Sequence, residues 1–479
     1  MTPTNPLSQL LATLDFAWRR EATAPLAPTN CQWRADACDL GSILFFQRFD
    51  DDRSDAEIYR RYLADSACAV LVTNRVLDCF DAMPDKAIYV TRPGDWSQVI
   101  GRCCDLLYPL DPNQTFIGVT GTNGKTTTIK YLEAILAANG QRVLSVGTLG
   151  LSLNGQPLAE TGFTSPPQLE LRRLLHAQAG RCDVVVMEVS SHALDQGRVY
   201  GLPLQSAGWT NFTQDHLDYH GDEDAYFAAK ARIVDLIIDG GRLYCSSQAV
   251  ADRLQGRGAP RVPIEVLAPV ALGPDALAAK PFLALAHNRQ NYALAVALAN
   301  GVLGTAARDD WQHLAAVDGR FECRVVGNRT FVIDFAHTPD ALETILTAIR
   351  AGFPGAQVLT LFGCGGDRDR GKRPLMGAAV ARHCEHAIVT SDNPRHEDPE
   401  RIIADILTGM PGPGREVVVD RPQAVARLFD LLAARPPDEP WVALLAGKGH
   451  ERYIDRDGRK TYYSDQDEIE RNLRRLGWA

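Results

Sequence analysis

The sequence predicts an α/β protein of three domains, and three observations carry that expectation. A length of 479 residues is more than one hydrophobic core ordinarily serves and corresponds to about three domains. Short apolar runs of strand length alternate with helix-forming stretches along most of the chain, the pattern of sheets with crossover helices. At one strand-to-helix junction stands Thr120-Gly-Thr-Asn-Gly-Lys-Thr-Thr-Thr128, a glycine-rich loop followed by a lysine.

The first block, residues 1 to about 111, reads as a small α/β domain. Strands are expected at Ser42–Phe46, Ala69–Thr73 and Ala87–Val90, with no glycine-rich site among them. Tyr108-Pro-Leu-Asp-Pro-Asn113 reads as a linker, because two prolines interrupt both helix and strand pairing.

The second block, residues 112 to 317, opens on the apolar strand Phe116–Val119, the glycine-rich loop and a helix expected over Ile129–Ala138. Glycines let the backbone fold closely around a polyphosphate, and the following helix presents the positive end of its dipole. Lys125 is placed to reach the terminal phosphates and Thr126 to offer its hydroxyl to Mg²⁺. The strict phosphate-loop pattern asks for glycine where Val119 stands, and a Gly/Thr-rich surface turn is the plainer alternative. Further strands at Val143–Val146, Val184–Met187 and Arg242–Cys245 make this a parallel-sheet domain of the P-loop ATPase type.

The third block, residues 318 to 479, begins near Gly319-Arg-Phe-Glu322. Strands are expected at Thr330–Asp334, Gln357–Phe362, Ala387–Thr390 and Trp441–Leu445, each followed by a polar loop. That is a doubly wound, Rossmann-like arrangement, whose ligands bind outside the carboxyl ends of the strands.

Composition bounds the function. Hydrophobic residues at 45% and charged residues at 23% are those of a soluble globular protein. A net charge of −9 argues against a general nucleic-acid surface. No secretory signal is expected at the start, and no apolar run approaches the length of a membrane span. The eleven cysteines form no C-x-x-C pair, so neither zinc spacing nor a disulfide framework is expected. Reduced thiols in a cytoplasmic protein, with no nucleic-acid or membrane partner, are the expectation.

Several strand ends carry chemistry. Glu188 closes Val184-Val-Val-Met-Glu188, where an NTPase holds Mg²⁺, although a strand-terminal glutamate also serves simply as a solvent-facing group. Thr210-Asn-Phe-Thr-Gln-Asp-His-Leu-Asp-Tyr-His220 offers His216 or Asp215 to the same metal. Composition alone reads Lys230 as a surface lysine with its stem along apolar neighbours. In the third block, Asp334 and His337 follow a strand, and Gly363-Cys-Gly-Gly-Asp-Arg-Asp-Arg-Gly-Lys-Arg373 is a glycine turn with four cations. Arg395, in Ser391-Asp-Asn-Pro-Arg-His-Glu-Asp-Pro399, supplies a fork for a carboxylate, while Asp392 suits an ammonium. With Gly447-Lys-Gly-His-Glu451, these loops read as a pocket for a zwitterionic amino acid.

Seven ordered motifs, from the glycine-rich loop to Gly-Lys-Gly-His-Glu, make the sequence resemble the Mur ligases, and within them the MurE type. The resemblance implies an ATP-dependent ligase of peptidoglycan synthesis that forms an amide through an acyl phosphate, with ATP and Mg²⁺. It implies that Gly121, Thr122, Asn123, Gly124, Lys125, Thr126 and Thr127 bind ATP together with Asn288, Asn291, Arg320, Asp334 and His337. It implies Thr126, Glu188, His216 and Lys230 around the metal, with Lys230 carbamylated, and Lys125, Glu188, His216 and Lys230 in catalysis. Thr164, Ser165, Ser190 and Arg198 match the acceptor site; Arg373, Asp392, Asn393, Arg395, Gly447 and Glu451 match the amino-acid site. The Asp-Asn-Pro-Arg form is typical of members that add meso-diaminopimelate to a muramoyl dipeptide carried on uridine diphosphate.

The resemblance also has departures. Thr164-Ser-Pro-Pro167 stands where the family usually has Thr-Thr-Pro-Asp, so Pro167 removes a carboxylate and a backbone donor. In the first block Arg34-Ala-Asp-Ala-Cys38 and Phe49-Asp-Asp-Asp-Arg53 stand where uridine-binding runs are usual. A paralogue with the same chemistry on another acceptor, and a non-catalytic nucleotide-binding scaffold, are the two alternatives.

Overall fold

The computed structural model describes residues 5–21, 27–48, 53–258, 261–307 and 311–478. The chain divides into two compact units, one of residues 1–118, 141–206 and 232–241, the other of residues 119–140, 207–231 and 242–479.

The first unit begins with a five-stranded sheet in the order Phe16–Arg20, Ala87–Thr91, Val70–Thr73, Ser42–Phe46, Asn30–Gln32. Phe16–Arg20 pairs antiparallel with Ala87–Thr91, and the other neighbours are parallel. Alternation of period two sorts its side chains between two cores. Ile43, Phe45, Val70, Val72 and Tyr89 pack on Val99 and Ile100 of the helix Trp96–Leu107. Leu44, Leu71, Ile88 and Val90 face Ile58, Leu63, Phe80 and Met83. Both faces are covered, which is why these strands read as continuous apolar runs. The same unit holds Val143–Gly147 parallel to Val184–Glu188, and a hairpin-linked pair, Gly150–Leu153 and Gln156–Ala159, antiparallel beside it.

In the second unit the helix Lys125–Ala138 packs on the helix Ala286–Leu303. Tyr131 lies between Phe282 and Tyr292, with ring centroids 6.0 and 6.5 Å away. A six-stranded sheet follows, ordered Glu322–Val326, Arg329–Asp334, Trp441–Ala446, Gln357–Phe362, His386–Val389, Arg415–Val417. Only the first pair is antiparallel. Helices Pro339–Gly352, Lys372–His383 and Pro399–Leu407 cover one face, and Arg421–Ala433 and Asp465–Arg475 the other. Doubly wound topology of this kind brings the loops after Asp334, Phe362, Val389 and Ala446 to one edge. Among the described residues no helix is long and apolar enough to cross a membrane. All eleven cysteines are free thiols.

Candidate active site

The strand Thr115–Thr120 passes into the helix Lys125–Ala138 through a loop whose conformation demands glycine. Gly121 has φ +138° and Gly124 φ +85°. A Cβ on Gly121 would fall 1.9 Å from Thr210 Oγ1, and one on Gly124 2.5 Å from Asn291 Oδ1. Val119, where the strict pattern has glycine, is buried strand, and the tight turn comes two residues later at Gly121. Gly121→Ala is expected to destabilise the fold by about 2 kcal/mol or more, since clash and positive φ coincide. Calorimetry checks this, and an unchanged thermal midpoint would show that the loop relaxes.

Asn211 braces the loop: its Oδ1 accepts from Asn123 N at 2.8 Å and its carbonyl from Thr122 N at 3.1 Å. Lys125 Nζ donates to Gly121 O and Thr122 O at 2.8 and 2.9 Å, which folds the ammonium over the loop. Thr126 and Thr127 are buried in the first helical turn. The helix offers N–H groups and its dipole to an anion there.

Asn123, Gly124 and Thr127 form one wall of a cleft of about 680 Å³, solvent mouth included; Asn288 and Asn291 form a second, and Arg320, Asp334 and Phe335 a third. Arg320 lies over the Phe335 ring, 4.5 Å from its centroid. Asp334 accepts from Phe321 N at 2.8 Å and Ala336 N at 2.7 Å, so both of its oxygens shape the cleft's backbone. His337 turns elsewhere: its Nε2 is 4.0 Å from Asp215 Oδ2. Burial and Lys372 push its pKa down to about 4.

Asp215 is the hub of a charge cluster, 3.4 Å from both Lys372 Nζ and His216 Nε2. Burial alone would raise its pKa, but Lys372, His216 and His337 hold it well below the usual carboxylate range. Of the two metal candidates in its segment, Asp215 is therefore already engaged by a lysine. His216, at φ +53°, caps a short helical turn.

Lys230 is not the surface lysine that composition suggested. It is 1% exposed on the inward face of the helix Glu223–Ala231, with Tyr226, Phe227 and Ala229. Its Nζ donates to Gly121 O at 2.8 Å, and the Tyr226 ring lies 4.8 Å away. Burial, with Lys125 nearby, pushes its pKa well below the ordinary lysine value.

The first unit gathers the expected acceptor residues around Glu188. That carboxylate is buried and accepts from Thr148 N at 2.8 Å and Thr148 Oγ1 at 3.2 Å. Gly147 makes room, since a Cβ there would lie 2.3 Å from Glu188 Oε1. Thr164 Oγ1 is 3.1 Å from Thr148 Oγ1, and Ser165 Oγ donates to Glu188 O at 2.9 Å. Ser190 N donates to Ser165 Oγ and Arg198 Nη1 to Ser165 O. Pro167 heads the helix Gln168–Ala177 without a side-chain cap. Arg34 is paired to Asp36 on the surface. Residues 49–52 of the other divergent run lie outside the described residues.

The third-block loops sort their cations. Arg373, expected to meet an amino acid, is 1% exposed and forks onto Glu397 and Asp405 at 2.8 and 2.9 Å. Its fork is filled by the protein, which makes it a brace from the helix Lys372–His383 to the helix Pro399–Leu407 and the loop before it. Arg395 has φ +49° and donates from Nη1 to Gly366 O at 2.7 Å. A Cβ on Gly365 would lie 2.8 Å from Arg395 Nη1 and 3.7 Å from Arg368 Cγ, so Arg368 and Arg395 flank the same glycine. Asp392, Asn393 and Glu451 converge on Lys448. Arg368, Lys372 and Lys448 are the side chains that the sequence reading passed over, although each lies inside a quoted motif. Among the described residues no three His, Cys, Asp or Glu side chains form a ready-made metal site.

Comparison with known proteins adds the following. Residues 119–258 match the Mur ligase middle domain, and residues 319–449 the family described as Mur ligase, glutamate ligase domain. A UDP-N-acetylmuramoyl-L-alanyl-D-glutamate–2,6-diaminopimelate ligase of Synechococcus elongatus is 36% identical over 98% of this chain and 96% of its own. The Neisseria meningitidis serogroup A ligase of the same name is 38% identical over 77% of this chain and 78% of its own. A solved structure of a ligase with that name superposes with a TM-score of 0.56 at 25% identity, covering 96% of this chain and 98% of that one. MurF from Acinetobacter baumannii shares the fold at 15% identity, with a TM-score of 0.61 over 98% of both chains.

Proposed function

This chain belongs to the Mur ligases and is an ATP-dependent ligase, and from that premise we propose that it joins meso-diaminopimelate to UDP-N-acetylmuramoyl-L-alanyl-D-glutamate. The scaffold alternative falls with that membership. The proposed reaction transfers the γ-phosphoryl group of ATP to the acceptor's carboxylate, giving an acyl phosphate and ADP. The free amine then attacks the acyl carbon, and the tetrahedral adduct expels phosphate as the amide forms. An ionised carboxylate is a poor electrophile, so this activation is what the ATP supplies. Positioning and cations around the phosphates provide most of the catalysis.

One observation carries the reading. Asp215, from the segment Thr210–His220, is ion-paired to Lys372, where the glycine-rich run of the third block enters its helix. The segment Thr210–His220 and the glycine-rich run after Phe362 are thereby tied at one point of the same compact unit, which supports a nucleotide and an amine meeting there. We assign the cleft of Asn123, Asn288, Asn291 and Arg320 to ATP, with Gly121, Thr122, Gly124, Lys125, Thr126 and Thr127 under the phosphates, Asp334 on its wall and His337 beside it, turned toward Asp215. The acceptor's carboxylate side is assigned to Thr164, Ser165, Ser190 and Arg198. The donor is assigned to Arg395, Arg368, Asp392, Asn393, Gly447 and Glu451. Domain boundaries near residues 111 and 317 and a cytoplasmic site of action belong to the same proposal.

Mg²⁺ suits part of the donor set. It takes hard oxygens and needs only one or two carboxylates, because it keeps most of its waters. In the first unit the buried Glu188 carboxylate, and in the second the Thr126 hydroxyl, are donors of that type; His216 and a carbamylated Lys230 are assigned with Thr126. When bound, the ion neutralises charge on the phosphates.

Arg395→Ala is expected to raise KM for diaminopimelate roughly tenfold or more while leaving KM for ATP nearly unchanged, because a paired carboxylate loses its fork. Steady-state phosphate release measures both, and equal changes would remove Arg395 from the donor site. A second reading, the same chemistry on a different acceptor, is favoured by Pro167 and by the pairing of Arg34 with Asp36. Turnover with the uridine-linked dipeptide against other γ-glutamyl or peptide carboxylates decides between them.

A further inference from the structure

The loops Ser391–Pro399 and Gly447–Glu451 close on one ammonium, that of Lys448, which is fully buried. Its Nζ lies 2.6 Å from Asn393 Oδ1, 2.9 Å from Tyr453 O, 3.2 Å from Asp392 Oδ1 and 3.4 Å from Glu451 Oε2. Asn393 completes the circuit by donating from Nδ2 to Glu451 Oε2 at 2.9 Å. Gly447, at φ +105°, lets the loop pass close by: a Cβ there would sit 2.6 Å from Asp392 Oδ2. A buried cation is retained only when such oxygens replace its water, so this circuit is strongly coupled to the charge of Lys448.

The other charged groups around it are few. Asp392 faces Lys448, Arg421, His337 and Glu451, and Glu451 faces Asp392, Lys448 and the Tyr453 hydroxyl. Arg421 is itself held by Asp465, at 2.7 and 3.0 Å, and by Ala446 O. Lys448 is therefore the cation in direct contact with Asp392. Burial alone would raise Asp392, but Lys448 and Arg421 keep its pKa below the usual value; burial and Asp392 raise that of Glu451.

We propose that Lys448 is a positioning residue for the amine donor, tying Asp392, Asn393 and Glu451 into one wall of the donor pocket through its buried ammonium. The proposal rests on the assignment of these two loops to the incoming diamino acid. Lys448 contacts protein oxygens and acts on the donor through them. Without its charge, two carboxylates would face each other across the gap, and a proton would take the place of the ammonium.

The test compares wild type with Lys448→Gln, which keeps a donor for Asn393 and Tyr453 but carries no charge, and with Lys448→Arg, which restores charge. Lys448→Gln is expected to raise KM for diaminopimelate about tenfold or more, with KM for ATP within about twofold. The acid limb of kcat/KM for the diamino acid should also move to higher pH, because Asp392 then takes up a proton more readily, and Lys448→Arg should move it back. Equal changes in both KM values, or a fall in kcat with the acid limb unmoved, would overturn the proposal. Where Lys448→Gln does not give folded protein, Lys448→Met, closer to an apolar isostere, takes the same measurements. Arg395→Ala is assayed alongside. A KM shift there, without one in the Lys448 variants, defeats the positioning role alone, and no shift in any variant defeats the donor-site reading itself.

Discussion

Lys125→Ala is expected to lower ATP turnover by roughly a hundred- to a thousand-fold, the usual effect of removing one preorganised group from a developing negative charge. The ammonium sits at the loop's mouth, donating to Gly121 O and Thr122 O, while the loop's shape depends on other residues. Gly121 and Gly124 set the turn, and Asn211 and Thr210 pin it from outside. Alanine at 125 is also a strong helix former at the first helical position, so the fold should survive. The predicted signature is thus a large fall in kcat with a small change in thermal midpoint. Phosphate release and calorimetry on the same preparation measure the two. A rate within about tenfold of wild type would take Lys125 out of the chemistry.

What the sequence disclosed, and what it hid, follows from the range of the interactions concerned. Most of the expected strands were legible because they are largely buried runs rich in β-branched residues and leucine; all of Val184–Glu188 is buried, for example. The helix after the phosphate loop starts at Lys125, four residues ahead of the apolar run that begins at Ile129. Three threonines are poor helix formers, and it is the left-handed turn at Gly124 that launches the helix there. Periodicity does not see such a turn.

Site residues were legible as motifs but not as roles. Arg373 and Arg368 sit in one glycine-rich run, and composition cannot say which guanidinium is already satisfied. Glu397 and Asp405, well along the chain, fill the fork of Arg373. Asp215 reads as a metal candidate in its own segment, and the ion pair that engages it, with Lys372, lies 157 positions away. Lys448 stands inside Gly-Lys-Gly-His-Glu, yet its importance lies in contacts with Asp392 and Asn393 on another loop. Interactions across that distance in sequence leave no local signal.

Lys230 is where composition misled most, and the second large effect is expected there. A lysine among alanines and aromatics on a nine-residue helix reads as a stem laid along the surface. The fold instead drives its amine beneath the phosphate loop, onto Gly121 O, with Lys125 close enough to disfavour a second positive charge. Burial acts in the same direction, and the two together favour the neutral amine. A neutral, ordered amine is the form that adds carbon dioxide, and the carbamate so formed, with release of a proton, would put an anion in place of that neutral amine next to Lys125. Lys230→Ala is accordingly expected to lower turnover roughly a hundred-fold or more, with partial rescue by formate or acetate, whose carboxylate fits the vacated space. Native mass spectrometry of wild type should show an acid-labile increment of one carbon dioxide that the variant lacks. Full activity in Lys230→Ala would leave the residue structural. Lost activity without rescue, together with a collapsed thermal midpoint, would mean that the amine serves the loop rather than the reaction.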